Sequence, residues 1–205
     1  MSINVCNNNS MSAITSLPSG VGGGALNLIS TQTASSSSTI SFTSGIDSTY
    51  KEYIFKFIDV HPSEDRKYLS FQGSTDSGSS YGVAATTTFF QAYHTEDDST
   101  TQLGYTTAAD LAQSTSFQPM SLTGTSADND ACFVGTLHLF NPSDTTFVKH
   151  FLMTSQNSNK SSSLDRSNNA FVAGYFNTTS AIDAIQFKFN SGNIDAGTIK
   201  LYGVS

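Results

Sequence analysis

Apolar and polar residues alternate with a period of two along most of this chain, most clearly at its end. In AIDAIQFKFNSGNIDAGTIKLYGVS (residues 181–205), Ile185, Phe187 and Phe189 fall on one face, with Ala184, Gln186 and Lys188 on the other. Ile199 and Leu201 repeat the pattern, with Thr198, Lys200 and Tyr202 opposite. Successive side chains of a strand point to opposite faces, so this alternation predicts two half-buried strands. Asn190-Ser191-Gly192-Asn193 lies between them, and its Gly and Asn residues tolerate the positive φ of a tight connection. The pair therefore reads as a closing antiparallel hairpin.

Further strands are predicted over residues 26–31, 39–43, 50–60, 68–73, 86–93, 132–140, 145–154 and 170–176. Residues 50–60 are the strongest of the first half. Tyr53, Phe55 and Phe57 share one face; Ile54, Ile58 and Val60 share the other with Lys56. A strand apolar on both faces is either central in a packed sandwich or covered by another subunit. Pro62 ends it, since proline cannot donate to a central ladder. Leu69 and Phe71 point inward on the next strand. Polar stretches separate the strands: a flexible loop at 74–82, an acidic turn at 94–98 within a loop spanning 94–107, a Pro-containing hairpin turn at 141–144, and a polar loop at 156–169. Residues 99–130 read as a long excursion over the sheet, with a helical turn or two at 108–113 (AADLAQ). Roughly nine or ten short strands with no helical periodicity define an all-β class: an antiparallel β-sandwich, jelly-roll-like.

Residues 1–24 differ from the rest. Asn7-Asn8-Asn9-Ser10 is low in complexity, and Leu17-Pro18-Ser19-Gly20 and Gly22-Gly23-Gly24 are breakers. Ile3, Val5, Met11, Ile14 and Leu17 are scattered through this leader. A disordered tail is one reading; an extended arm that orders by docking on another subunit is the other, and the apolar content favours it. The organisation is then an arm at 1–24 and a sandwich domain at 25–205.

Composition narrows the functions. Charged residues make up 12% of the chain, against roughly 25% for an average soluble protein. The formal net charge of −7 argues against nucleic acid as a partner, which calls for a basic patch. No apolar run approaches the roughly 18 residues of a membrane span, so no membrane insertion is expected. The N-terminus lacks a basic region followed by an apolar one, so synthesis and assembly in a cytosol are expected. Cys6 and Cys132 read as free thiols, Cys132 as a small buried hydrophobe.

Candidate chemistry is sparse. His138 and His150 are expected to face each other across the 141–144 turn, a pair that could bind a metal, although no third ligand is placed beside them. Outward strand histidines are the alternative. Asp97-Asp98 and Asp128-Asn129-Asp130 offer the short oxygen ligands that Ca²⁺ takes, without an EF-hand pattern; solvated acidic turns are the alternative. No carboxylate pair, triad or P-loop stands out. The expectation is a non-enzyme with no catalytic, cofactor or metal site.

Four stretches carry a resemblance: SLPSGVGGGALNLIS, STYKEYIFKFIDVHP, LFNPS and SGNIDAGTIKLYGV. Together they resemble a family of small virion proteins of tailed phages, common in marine phages and those of cyanobacteria. Its members end in a strand reading G-x-I-x-L-Y-G-I; here Gly197 to Val204 read GTIKLYGV. The resemblance spans residues 16–205 and rests on structural motifs. It implies a virion component, either a capsid decoration or head fibre or a tail appendage, and a homotrimer. Its partners would be other copies of itself and other virion proteins held through residues 1–24. A receptor-binding module is the second implied role, with loops 74–82, 94–107 and 156–169 holding a host-surface glycan. A depolymerase ranks last, because no carboxylate pair is singled out.

Overall fold

The computed structural model describes residues 25–161 and 164–205. The expected arm at 1–24, with Cys6, lies outside the described residues. Twelve strands are present among the described residues: β1 (Leu26–Thr33), β2 (Ile40–Phe42), β3 (Glu52–Pro62), β4 (Leu69–Ser74), β5 (Ala85–Thr95), β6 (Thr101–Tyr105), β7 (Gln118–Pro119), β8 (Phe133–Phe140), β9 (Lys149–Ser161), β10 (Leu164–Phe176), β11 (Ala184–Phe189) and β12 (Ile194–Val204). They form two antiparallel sheets, an eight-stranded one ordered β1-β12-β3-β8-β9-β10-β5-β6 and a four-stranded one ordered β2-β11-β4-β7. The chain is thus an all-β sandwich with unequal layers. No helix among the described residues is long and apolar enough to cross a membrane.

Aromatic rings join the layers. Phe187 of β11 meets Phe55 and Phe57 of β3 edge-on, at 5.2 and 5.0 Å between centroids, and Phe42 of β2 at 6.2 Å. Phe71 of β4 meets Phe151 of β9 and Phe176 of β10, at 5.2 and 6.4 Å. Each such pair adds about 0.5–1.5 kcal/mol beyond the area it buries. The inward set Tyr53, Phe55, Phe57, Leu69 and Phe71 is buried as the alternation predicts.

The last two strands do not form the expected hairpin. β11 pairs with β2 and β4 in the small sheet, while β12 pairs with β1 and β3 in the large one. The 190–193 connection therefore crosses between the layers. It lies beside a second crossing, from β3 to β4, and the two are clasped. Tyr68 donates its N–H to Asn190 Oδ1 (3.0 Å), Asn193 its N–H to Ser63 Oγ (2.8 Å), and Ser191 its hydroxyl to Glu64 (2.9 Å). Turn-forming residues permit a sharp change of direction and do not choose the next partner.

A bulge corrects the placement of Val60. Register shifts between Phe57 and Val60, and Asp59 takes φ +51°. The extra residue turns Val60 into the core, where it is fully buried, and leaves Ile58 outside. Opposite it, Gly197 takes φ +113°, and a Cβ there would come 2.5 Å from the Asp59 carbonyl oxygen. Gly203 lies against the Tyr50 ring with no room for a side chain. The terminal motif thus has a physical basis: two glycines set by close approach, with Ile199 and Leu201 buried between them.

Two further expectations are corrected. Residues 108–113 form no helix; Ala109 N–H bonds to the Thr106 carbonyl in a single turn. The strand expected from 145 starts at Lys149, because Asp144 draws in the N–H groups of Thr146 and Phe147 and prolongs the turn. The loop at 74–82 remains a loop and is tied together by hydrogen bonds. Asp76 accepts the hydroxyls of Ser74 and Ser80 (both 2.6 Å) and the N–H of Ser80, and these bonds hold its carboxyl at a pKa of about 2.

Candidate functional site

The largest correction concerns residues 156–169. Residues 156–161 are the last part of β9 and 164–169 the first part of β10, paired from Leu164↔Ser161 to Asn169↔Gln156 rather than forming a loop, while 162–163 lie outside the described residues. Their inward side chains form a second, polar core. Asn157 accepts the Ser121 hydroxyl (2.8 Å) and the Asn168 amide (3.0 Å), and donates to the Gly124 carbonyl (3.2 Å). Asn159 donates to the carbonyls of Thr123 and Gly124, and Ser155 to that of Met120 (2.7 Å). Asn157, Asn168 and Ser121 are fully buried. This end of the large sheet extends past the small one, and the excursion covers it. The expectation for residues 99–130 therefore holds from about residue 106 apart from β7 at Gln118–Pro119, which joins the small sheet, while β6 turns 101–105 into sheet.

At the far end of the polar core a cavity of about 210 Å³ is lined by Arg66, Leu122, Thr123, Gly124, Asn159 and Arg166. Arg66 stands on the 65–67 turn, held to the excursion by reciprocal bonds between Lys67 and Thr125. Arg166 continues the inward face of β10 from Asn168, and its guanidinium lies over the Tyr93 ring at 4.9 Å. Its Nε and the Thr123 hydroxyl are buried without a hydrogen-bond partner. An adjoining recess of about 130 Å³ shares Asn159 and is lined by Glu96, Asp128, Asp130 and Asp165.

The outward face of the large sheet is a second feature. Register aligns Leu28, Tyr202, Ile54, His138, Leu152 and Ala173 in one row across six strands. The next row carries Tyr105, Phe90, Phe171, Thr154, Thr136 and Lys56. Phe90 and Phe171 stack at 4.8 Å. Leu28, Ile58, Phe90, Leu103, Tyr105 and Leu152 are exposed, Leu103 by 73%. A shallow depression of about 300 Å³ lies on this face beside His150, Leu152, Tyr175 and Thr88.

The sequence-nominated residues do not converge. His138 lies opposite Leu152, not His150, and its Nδ1 is 2.6 Å from Glu52; His150 packs on Tyr175. His61 lies 3.1 Å from the Asp128 carbonyl and His94 3.0 Å from Asp98. Asp97 accepts the N–H and hydroxyl of Ser99, which lower its pKa. Among the described residues no three His, Cys, Asp or Glu side chains are grouped so as to hold a metal ion. Cys132 is half-buried, and burial followed by the Asp59 charge 3.9 Å away pushes its thiol up, the opposite of an activated nucleophile. The loop at 94–107 is largely the β5–β6 hairpin. Of the three loops nominated for a glycan, only 74–82 remains one.

Missed altogether was the meeting of Arg66 and Arg166, the two arginines of the chain. Each follows an Asp in the sequence, which suggests local charge neutralisation and hides their convergence. The structure thus defines a class, an unequal antiparallel β-sandwich with a polar second core. No protein-family model, curated protein or solved structure matches the chain.

Proposed function

We propose that the chain is a non-enzymatic structural component of a tailed-phage virion, displayed as a capsid decoration or head fibre or as a tail appendage. Residues 1–24 would attach it to other virion proteins, and the sandwich would assemble as a homotrimer. The observation that carries this reading is the outward face of the eight-stranded sheet, which leaves Leu28, Phe90, Leu103, Tyr105 and Leu152 in solvent. Phe90, Leu103 and Tyr105 adjoin on β5 and β6; clustered exposed apolar side chains mark association sites, and self-association would cover them. The resemblance of the terminal motif supplies the virion context. Light scattering on the purified chain tests assembly: a trimer is expected, dissociated by Leu103→Asp with Leu152→Asp, and a monomer at micromolar concentration refutes it. Antibody labelling of particles tests location.

A host-glycan receptor role is the second reading. It is favoured by the depression beside His150, Tyr175 and Thr88, where an aromatic ring and hydroxyl groups border an apolar floor. The two readings compete for one face, since a trimer interface there would close the depression. Glycan binding that survives at trimer concentrations favours the second.

A further inference from the structure

We infer that the cavity between Arg66, Thr123, Asn159 and Arg166 is a binding site for a small oxyanion, a carboxylate or sulfate group. Three observations converge. The chain contains two arginines, and both line this one cavity although 100 positions separate them. Neither arginine belongs to any ion pair among the described residues. The Asp before each is turned elsewhere. Asp65 accepts the Ser126 hydroxyl and the Ala127 N–H, and Asp165 lines the neighbouring recess.

Satisfaction of donors gives the second argument. Arg166 Nε and the Thr123 hydroxyl are both buried and lack an acceptor. Buried donors are nearly always paired, so unpaired ones at a cavity wall point to a missing acceptor. A guanidinium is a planar fork that matches the oxygens of a carboxylate or sulfate. Two of them with a hydroxyl form an acceptor-seeking set. The polar core holds the set in place: Asn159 fixes the carbonyls of Thr123 and Gly124, and Tyr93 supports the Arg166 plane.

The surroundings restrict the ligand. The cavity of about 210 Å³ far exceeds the roughly 10–15 Å³ a single water needs, leaving space for an attached group. Glu96, Asp128, Asp130 and Asp165 stand across the shared Asn159 wall, and the chain carries a net charge of −7. Both features repel a polyanion. The fitting ligand carries one anionic group on an otherwise uncharged body, as a monoanionic sugar acid does. Nothing in the site requires a particle, so its test is separate from that of the virion reading.

The experiment uses the small number of arginines. In ¹⁵N-labelled protein the arginine Nε–H region holds two signals. Sodium sulfate and sodium glucuronate are titrated separately against sodium chloride at equal ionic strength. The expected result is saturable movement of both signals with at least one of the two anions and none with chloride. A response to glucuronate assigns a carboxylated ligand, and one to sulfate a sulfated ligand. Arg66 is exposed, so Arg66→Gln should keep the fold and weaken binding about tenfold as read on the remaining signal. Arg166→Gln, read on the Arg66 signal, should do the same. The inference is overturned if neither anion moves the signals beyond chloride, or if the Arg166 response is unchanged in Arg66→Gln.

Discussion

Asn157→Ala tests the most unexpected part of the structure, a buried strand where composition suggests a loop. Asn157 is fully buried and makes three hydrogen bonds, to Ser121, Asn168 and Gly124. Its removal leaves the Ser121 hydroxyl and the Asn168 amide without their acceptor, while the Gly124 carbonyl keeps Asn159. Each stranded buried group costs about 1–3 kcal/mol, so the pair costs about 2–6 kcal/mol before relaxation. Rotation of the Ser121 hydroxyl recovers part, and about 2–5 kcal/mol is expected to remain. With a urea m-value of about 2 kcal/mol/M the midpoint should fall by about 1–2.5 M. The control is Gln156→Ala, one residue away on the outward face, with an expected change within about 0.5 kcal/mol. A double-mutant cycle with Ser121→Ala should show coupling of at least about 0.5 kcal/mol. Equal midpoints for the variants at 156 and 157 would refute the buried network and return this stretch to solvent.

Gly197→Ala should destabilise the fold by more than about 1 kcal/mol in the same assay, because φ +113° and the Asp59 backbone both exclude a Cβ; a neutral result would mean that the paired bulges are absent. Leu201→Ala should cost roughly 2–5 kcal/mol and Lys200→Ala within about 0.5, and the reverse order would put β12 one residue out of register. Acid should loosen the 74–82 loop, as read by amide exchange. The folded pKa of Asp76, held down to about 2 by Ser74 and Ser80, lies below its ordinary 3.8, so its contribution is complete above about pH 4 and is lost as pH falls toward 2. Asp76→Asn should remove that pH dependence; an unchanged profile would count against the hydrogen-bonded loop.

Where one face of a strand is apolar and the other polar, the sequence reveals both strand and register. Tyr53, Phe55, Leu69, Phe71, Phe187, Ile199 and Leu201 are all buried as their alternation predicts. The partner of each strand is less accessible, because pairing is decided by what lies across the layer. Residues 190–193 fit a hairpin equally well, yet in the structure they are clasped to Ser63, Glu64 and Tyr68 as the chain crosses to the other sheet. Bulges are similarly hidden: no composition signal at Asp59 foretells the inversion of Val60, although Gly197 opposite it is a trace of the constraint.

Polarity misled most in β9 and β10, and the reason lies in how this chain fills its interior. Along their inward faces the residues change from Phe151 and Phe176, through Met153 and Val172, to Asn157 and Asn168, and finally to Asn159 and Arg166. The apolar end is covered by the four-stranded sheet and the amide end by the 106–131 excursion, whose carbonyls and hydroxyls need donors and acceptors that leucines could not supply. An irregular segment can cover a sheet only if its backbone groups are satisfied, which is why side-chain amides replace aliphatics on the strands beneath. The same requirement ends at the cavity, where Arg166 Nε and Thr123 Oγ1 lack an acceptor from the chain. The network that makes residues 156–169 resemble a loop therefore also holds the two arginines beside a space that an oxyanion can fill.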